Sequence, residues 1–133
     1  MDIESNCPFC SLDESRIRHS TPLFLIIRDG YPVSPGHTLI IPKAHLASVF
    51  DLSPEQFAEL HAAVHWAKAD IEQEFSPDGY NLGINDGPEA GQTVPHLHLH
   101  LIPRYRGDQP DPRGGVRWII PEKAKYWPDE DSD

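Results

Sequence analysis

Apolar residues fall in short runs separated by turn residues, and one segment repeats at helical spacing. Leu23-Phe24-Leu25-Ile26-Ile27 is a run of strand formers, and Thr38-Leu39-Ile40-Ile41, closed by Pro42, is a second. Gly30, Pro32, Pro35 and Gly36 punctuate the stretch between them, so an antiparallel hairpin with a long connection is expected. Ser53-Pro54-Glu55-Gln56 predicts a helix start. Ser53 caps, Pro54 fits the first turn and Gln56 completes a capping box. Phe57, Leu60, Val64, Ala67, Ile71 and Phe75 follow at spacings of three and four, one apolar stripe on a long helix. Ser76-Pro77-Asp78-Gly79 ends it. Residues 80–85 alternate as a strand, and a glycine-bearing loop follows over 86–92. Arg117-Trp118-Ile119-Ile120 is expected as one more strand or a packed extension. Several antiparallel strands with one long helix make the class α+β.

The alternation His96-Leu97-His98-Leu99-His100 carries the candidate chemistry. On a strand, alternate side chains share a face, so the three imidazoles line up about 6.6–7 Å apart while the leucines enter the core. Imidazole is a nucleophile, a proton carrier near neutral pH and a metal ligand. Chance structural histidines are improbable at this period. A metal site and a nucleophile with supporting imidazoles both remain open.

The remaining signals are weaker. Cys7-x-x-Cys10 has the spacing of half a zinc site. A redox dithiol needs a βαβ setting that the pattern lacks, so zinc or free thiols remain. His45 and His96 are candidates to complete a Cys₂His₂ set. His61 and His65 lie four apart off the apolar stripe and read as solvent-facing. Gly87, Gly91, Gln92 and Thr93 suit either an approach to an anion or plain turn geometry. Arg104, Arg106, Arg113 and Arg117 are expected to be solvated.

At 133 residues the chain is expected to be one domain, 1–133. A net charge of −10 argues against an extended nucleic-acid surface, which needs Lys and Arg against phosphates. No apolar run approaches the ~18 residues of a membrane span. The polar start, residues 1–6, does not read as a secretory signal, so a cytoplasmic setting is expected. The acidic stretch 129–133 reads as a solvated end.

The residues resemble the histidine triad family of nucleotide hydrolases and transferases. Its signature, His-φ-His-φ-His-φ-φ with φ apolar, is matched from His96 through Ile102. Residues 86–94 are similar to the loop of the fragile histidine triad branch, the dinucleoside polyphosphate hydrolases, and Pro35-Gly36-His37 also fits. The resemblance implies a five-stranded antiparallel sheet with one long helix and a short one, dimerising into a continuous sheet. It implies a reaction at the α-phosphorus of adenine nucleotides, either dinucleoside polyphosphates or adenosine phosphoramidates. By the same resemblance His98 is the nucleophile that becomes covalently nucleotidylated. His100 contacts phosphate or supports proton transfer, Asp29 holds the ribose hydroxyls, and Asn85, Gln92 and Thr93 hold phosphate oxygens and the leaving group. Some bacterial members and the related galactose-1-phosphate uridylyltransferases carry a matching zinc set, which implies structural zinc on Cys7, Cys10, His45 and His96. The segment 1–15 is then tied to the catalytic strand by zinc, and 105–133 is a C-terminal extension.

The chain also departs from that branch, which lacks the two cysteines, and Gly114-Gly115-Val116-Arg117-Trp118 has no match in it. Trp118 therefore has three readings: a lid over a base, a dimer contact or a packed side chain. Two rival functions stand beside the enzyme reading. One is a nucleotide-binding or signalling protein with little catalysis. The other is a metal-dependent hydrolase using His96 and His98 with His100 or His37.

Overall fold

The computed structural model of the chain describes residues 6–128; the acidic stretch 129–133 and most of the polar start lie outside them. Among the described residues five strands, β1 (Ile17–Ser20), β2 (Phe24–Arg28), β3 (Thr38–Pro42), β4 (Gly79–Ile84) and β5 (Leu99–Arg104), form one sheet in the order β1-β2-β3-β5-β4. All four pairings are antiparallel. The expected hairpin is β2 with β3.

The fifth strand is not the one the pattern offered. β1 is Ile17–Ser20, which the apolar runs do not reveal because Ile17 is its one apolar residue. Residues 115–119 form a 3₁₀ turn instead of a strand. Gly114 and Gly115 open it at φ 92° and 44°, a region that favours glycine. The Arg117 guanidinium then donates to the carbonyls of Lys123 and Ala124. The short helix α2 (Pro121–Ala124) follows, so this segment is a packed extension.

Helix α1 runs from Pro54 to Glu74, and both halves of its Ser53–Gln56 capping box are present. Its buried residues are Leu60, Ala63, Ala67 and Ile71, while Phe57 at the start of the predicted stripe is exposed. These pack on Phe24, Ile26, Ile40, Leu99 and Leu101 from the sheet and on Leu97 just before β5. Burial of each large aliphatic chain contributes about 1.5–3 kcal/mol. Asp70 on α1 binds both Arg18 of β1 and Arg28 of β2, fastening the helix to the sheet edge.

The opposite sheet face is also covered near its middle. Ile27, Leu39 and Ile41 pack under Phe9, Leu12 and Ile17. β3 is thus buried on both sides, which explains its unbroken apolar run. Among the described residues, no helix is long and apolar enough to cross a membrane.

Candidate functional site

The histidine row straddles the start of β5. His100 lies in the ladder, paired with Leu39 and Gly83. His96 and His98 precede it, because the Leu97 N–H donates to the Leu46 carbonyl in a loop and not to a strand. The alternation nevertheless persists. Leu97, Leu99 and Leu101 enter the helix-covered core, and the His98 and His100 rings lie 5.0 Å apart on the other side.

The hydrogen-bond partners fix the ring tautomers. His98 Nδ1 lies 2.9 Å from the His96 carbonyl. A carbonyl only accepts, so Nδ1 carries the proton and the neutral ring's lone pair is on Nε2. His37 is 3% exposed, and its Nδ1 accepts from the Val33 N–H at 3.1 Å. Its Nε2 therefore bears hydrogen and donates to His100 Nδ1 at 3.0 Å. That leaves His100 Nε2 as a donor. Asp29 Oδ2 is 3.4 Å from His37 Nε2, and Asp29 Oδ1 accepts from the Tyr31 N–H. Burial pushes both His37 and His100 below the usual histidine pKa; Asp29 opposes this at His37, and the neighbouring His98 and His37 add to it at His100.

The sequence offered His37 within Pro35-Gly36-His37 and as an alternative to His100 in the metal-dependent reading, but nothing in it pointed to a hydrogen bond between the two. The signal for it is burial: a histidine directly before a core strand. Phe9 was also missed. Its ring lies 4.9 Å from that of His98 and 5.8 Å from that of His96.

Cys7, Cys10, His45 and His96 converge, with all four ligand atoms within 4.8 Å of one another. His96 Nδ1 lies 3.4 Å from Cys7 Sγ, 3.5 Å from Cys10 Sγ and 3.2 Å from His45 Nδ1. Cys10 Sγ and His45 Nδ1 are 3.2 Å apart. Tetrahedral zinc with ordinary Zn–S and Zn–N bonds sets its ligands about 3.3–3.8 Å apart. The tautomer agrees: His96 Nε2 donates to the Pro42 carbonyl at 2.8 Å, which leaves the Nδ1 lone pair aimed into the cluster. These residues fit a closed zinc site.

The loop residues are placed less uniformly. Asn85, just past β4, and Thr93 are exposed. The Gln92 amide joins two loops, accepting from the Gly87 N–H and donating to the Ala47 carbonyl. Ser48, Asp86, Gly87, Gln92 and Thr93 line a cavity of about 460 Å³ there. His61 and His65 are exposed neighbours on α1, as expected. Arg106, Arg113 and Arg117 are exposed, as expected, whereas Arg104 is half-buried and holds Asp108 and Asn81.

Relatives share much of this chain. It is 39% identical over 94 residues to a bis(5'-nucleosyl)-tetraphosphatase [asymmetrical] of Schizosaccharomyces pombe, covering 71% of this chain and 52% of the relative. It is 39% identical over 95 residues to a bis(5'-adenosyl)-triphosphatase of Dictyostelium discoideum, covering 71% and 64%. The chain thus spans about half to two-thirds of those relatives' own length. Among solved structures, a HIT family protein from Bacillus anthracis superposes with a TM-score of 0.70 at 41% identity, covering 76% of this chain and 74% of that one. A zinc-bound histidine triad family protein from Mycobacterium smegmatis does so with a TM-score of 0.67 at 40% identity, covering 80% and 84%. The HIT domain model matches residues 13–107, the stretch from before β1 to just past β5 that carries His37 and the whole histidine row, and the chain belongs to the HIT domain family.

Proposed function

We propose that this protein is a nucleotidyl hydrolase or transferase that acts at the α-phosphorus of adenine nucleotides through a covalent intermediate on His98. The carrying observation is the 2.9 Å contact from His98 Nδ1 to the His96 carbonyl, which leaves a lone pair on Nε2. In the first step Nε2 bonds to the α-phosphorus as the bond to the leaving group breaks. The leaving group takes the bonding electron pair; a polyphosphate departs as the anion and an amine takes up a proton. The His98 ring is then cationic, and the His96 carbonyl stabilises its Nδ1–H. In the second step water attacks phosphorus, the N–P electron pair returns to His98, and a proton is released. One difficult displacement becomes two easier ones.

His100 Nε2–H donates to a non-bridging phosphate oxygen. Asp29 accepts from the ribose hydroxyls. Asn85 and Thr93 reach the phosphates and leaving group, and Gln92 braces the loop that presents them. The names of the two relatives support a dinucleoside polyphosphate or related adenylate as substrate. Cys7, Cys10, His45 and His96 hold a structural zinc ion, a reading supported by the zinc-bound relative and by the ligand spacing. Zinc there supplies rigidity, because the same His96 that binds it presents the carbonyl to His98. The active unit is a homodimer with a continuous sheet.

The tautomers count against a catalytic metal on the histidine row. His96 Nδ1 faces the cysteines, and His37 Nε2 carries a proton where a ligand needs a lone pair. Intact-protein mass spectrometry after an acid quench tests the proposal. With a dinucleoside polyphosphate, a mass gain of one adenylyl group is expected, absent in His98→Ala. Turnover without an adduct refutes the covalent route. Tight nucleotide binding with neither adduct nor turnover supports a binding protein instead.

A further inference from the structure

Two hydroxyls away from the histidine row fasten the loop that sets its tautomers. The Ser34 hydroxyl donates to the Pro103 carbonyl at 2.6 Å, and the Tyr105 hydroxyl donates to the Pro35 carbonyl at 2.6 Å. Both distances are at the short end of the O–H···O range. Two adjacent loop residues are thus tied to the far end of β5, the strand that carries His100. The sheet explains the first bond. Alternate residues of a central strand bond to opposite neighbours. The Arg104 carbonyl accepts from the Asp78 N–H on the β4 side, so the Pro103 carbonyl faces the β3 side. There the β3–β5 ladder has already ended at the Thr38–Leu101 pair, and Ser34 supplies the donor. Burial pushes the Tyr105 phenol above its usual pKa, which keeps it a donor at neutral pH.

The residue before this clamp carries the consequence. The Val33 N–H on His37 Nδ1 puts the His37 proton on Nε2, and His100 then keeps its own on Nε2. Val33 is 71% exposed, so burial of its side chain does not hold it in place. If the loop swings away, His37 Nδ1 is free to take the proton. His37 Nε2 then accepts from His100 Nδ1, and His100 Nε2 presents a lone pair where a phosphate oxygen needs a donor. One lost backbone contact inverts both rings. Asp29 Oδ2, 3.4 Å from His37 Nε2, favours the working tautomer from the other side and limits the loss.

We propose that Tyr105 and Ser34 are positioning residues for nucleotidyl transfer, holding residues 33–35 so that His37 and His100 keep the tautomers in which His100 Nε2–H faces the substrate. This rests on the nucleotidyl-transfer reading and deepens it. Both hydroxyls are spent on backbone carbonyls and act only through His37.

Tyr105→Phe and Ser34→Ala each remove one oxygen. A hydrogen bond of ordinary net strength is a factor of roughly 2–10 in an equilibrium. With diadenosine tetraphosphate as substrate, the double variant therefore lowers kcat on the order of 10-fold. In a His37→Ala background the same two substitutions have no further effect, because the relay they serve is already gone. A double variant with wild-type kcat, or one that loses the same factor with and without His37, overturns the proposal. Tyr105→Phe alone carries the test if the double variant does not fold, since it takes one oxygen from a half-buried side chain. Two-bond ¹H–¹⁵N spectra of the zinc-loaded protein at neutral pH give the second readout. The wild type holds hydrogen on Nε2 of His37 and His100, and in the double variant the two nitrogen shifts of each ring converge. Spectra that do not change overturn the proposal. If the wild-type protein turns over no nucleotide, the catalytic reading fails separately, and the spectra alone decide whether the two hydroxyls set the tautomers.

Discussion

Gly36→Ala tests how the loop before β3 sets the histidines. Gly36 has φ 91°, and a Cβ there would lie 3.1 Å from Phe75 Cδ2, 3.2 Å from Ile71 Cγ2 and 3.3 Å from Pro103 Cγ. All three neighbours are packed side chains between α1 and β5, so none swings clear cheaply. The left-handed backbone costs an L-residue about 1–2 kcal/mol. Overpacking a filled core costs about 1–3 kcal/mol more. The expected loss is therefore about 2–5 kcal/mol, against a typical domain stability of about 5–15 kcal/mol. The loop relieves part of this by moving, and His37 is the next residue. Its bonds to Val33 and His100 then lengthen, and catalysis falls along with stability.

Urea unfolding of the zinc-loaded protein measures the loss. Gly79→Ala is the control, since a Cβ at Gly79 meets nothing within 4 Å and its φ is ordinary. That substitution is expected to be neutral or stabilising by up to about 1 kcal/mol, through reduced chain entropy. A Gly36→Ala loss below about 1 kcal/mol refutes the packing argument. A loss of about 2–5 kcal/mol with unchanged kcat refutes the link to His37.

Three further outcomes are expected. The purified protein carries one zinc per chain by elemental analysis, and Cys10→Ser or a strong chelator removes it and lowers Tm; a metal-free protein with unchanged Tm refutes the structural role. In steady-state kinetics, His37→Ala lowers kcat on the order of 10–100-fold, as loss of an orienting partner does, whereas His37→Gln, able both to accept from Val33 and to donate to His100, keeps more activity; equal effects refute the tautomer relay. Stability is full above pH ~6.5 and falls as pH drops towards the lowered pKa values of His37 and His100, because the unfolded chain takes up those protons first. The slope is at most about 1.4 kcal/mol per pH unit for each group, and unfolding curves at pH 7.5 and 5.5 that coincide refute it.

What the sequence revealed follows the range of each signal. Caps and periodicity are local, so the Ser53–Gln56 box and the β2–β3 hairpin could be placed to the residue or nearly so. β1 escaped because four residues with alternating partial burial carry little apolar signal. Residues 117–120 left strand and packed extension both open, because β-branched and aromatic residues also suit a 3₁₀ turn once Gly114, Gly115 and Pro121 fix the backbone around it. The zinc set combines a local motif, Cys7-x-x-Cys10, with histidines 35 and 86 residues from Cys10. Spacing proposed the cysteine half and the family resemblance implied the full set, and only the fold brought the four atoms together.

The two histidine clusters show where sequence reasoning stops in principle. Both contain buried imidazoles close to other ligand-type groups. One is fit for a metal and the other for passing a hydrogen bond, and the difference is a single backbone partner in each. The Pro42 carbonyl takes the proton of His96 Nε2 and frees Nδ1 towards the cysteines. The Val33 N–H occupies His37 Nδ1 and forces the proton onto Nε2, towards His100. Neither partner is chosen by its side chain, so no residue type records the choice. The backbone of the loop before β3 and of β3's last residue assigns the chemistry. Changes to the loop over residues 33–37 will therefore alter His100 without altering zinc, and changes around Pro42 will do the reverse.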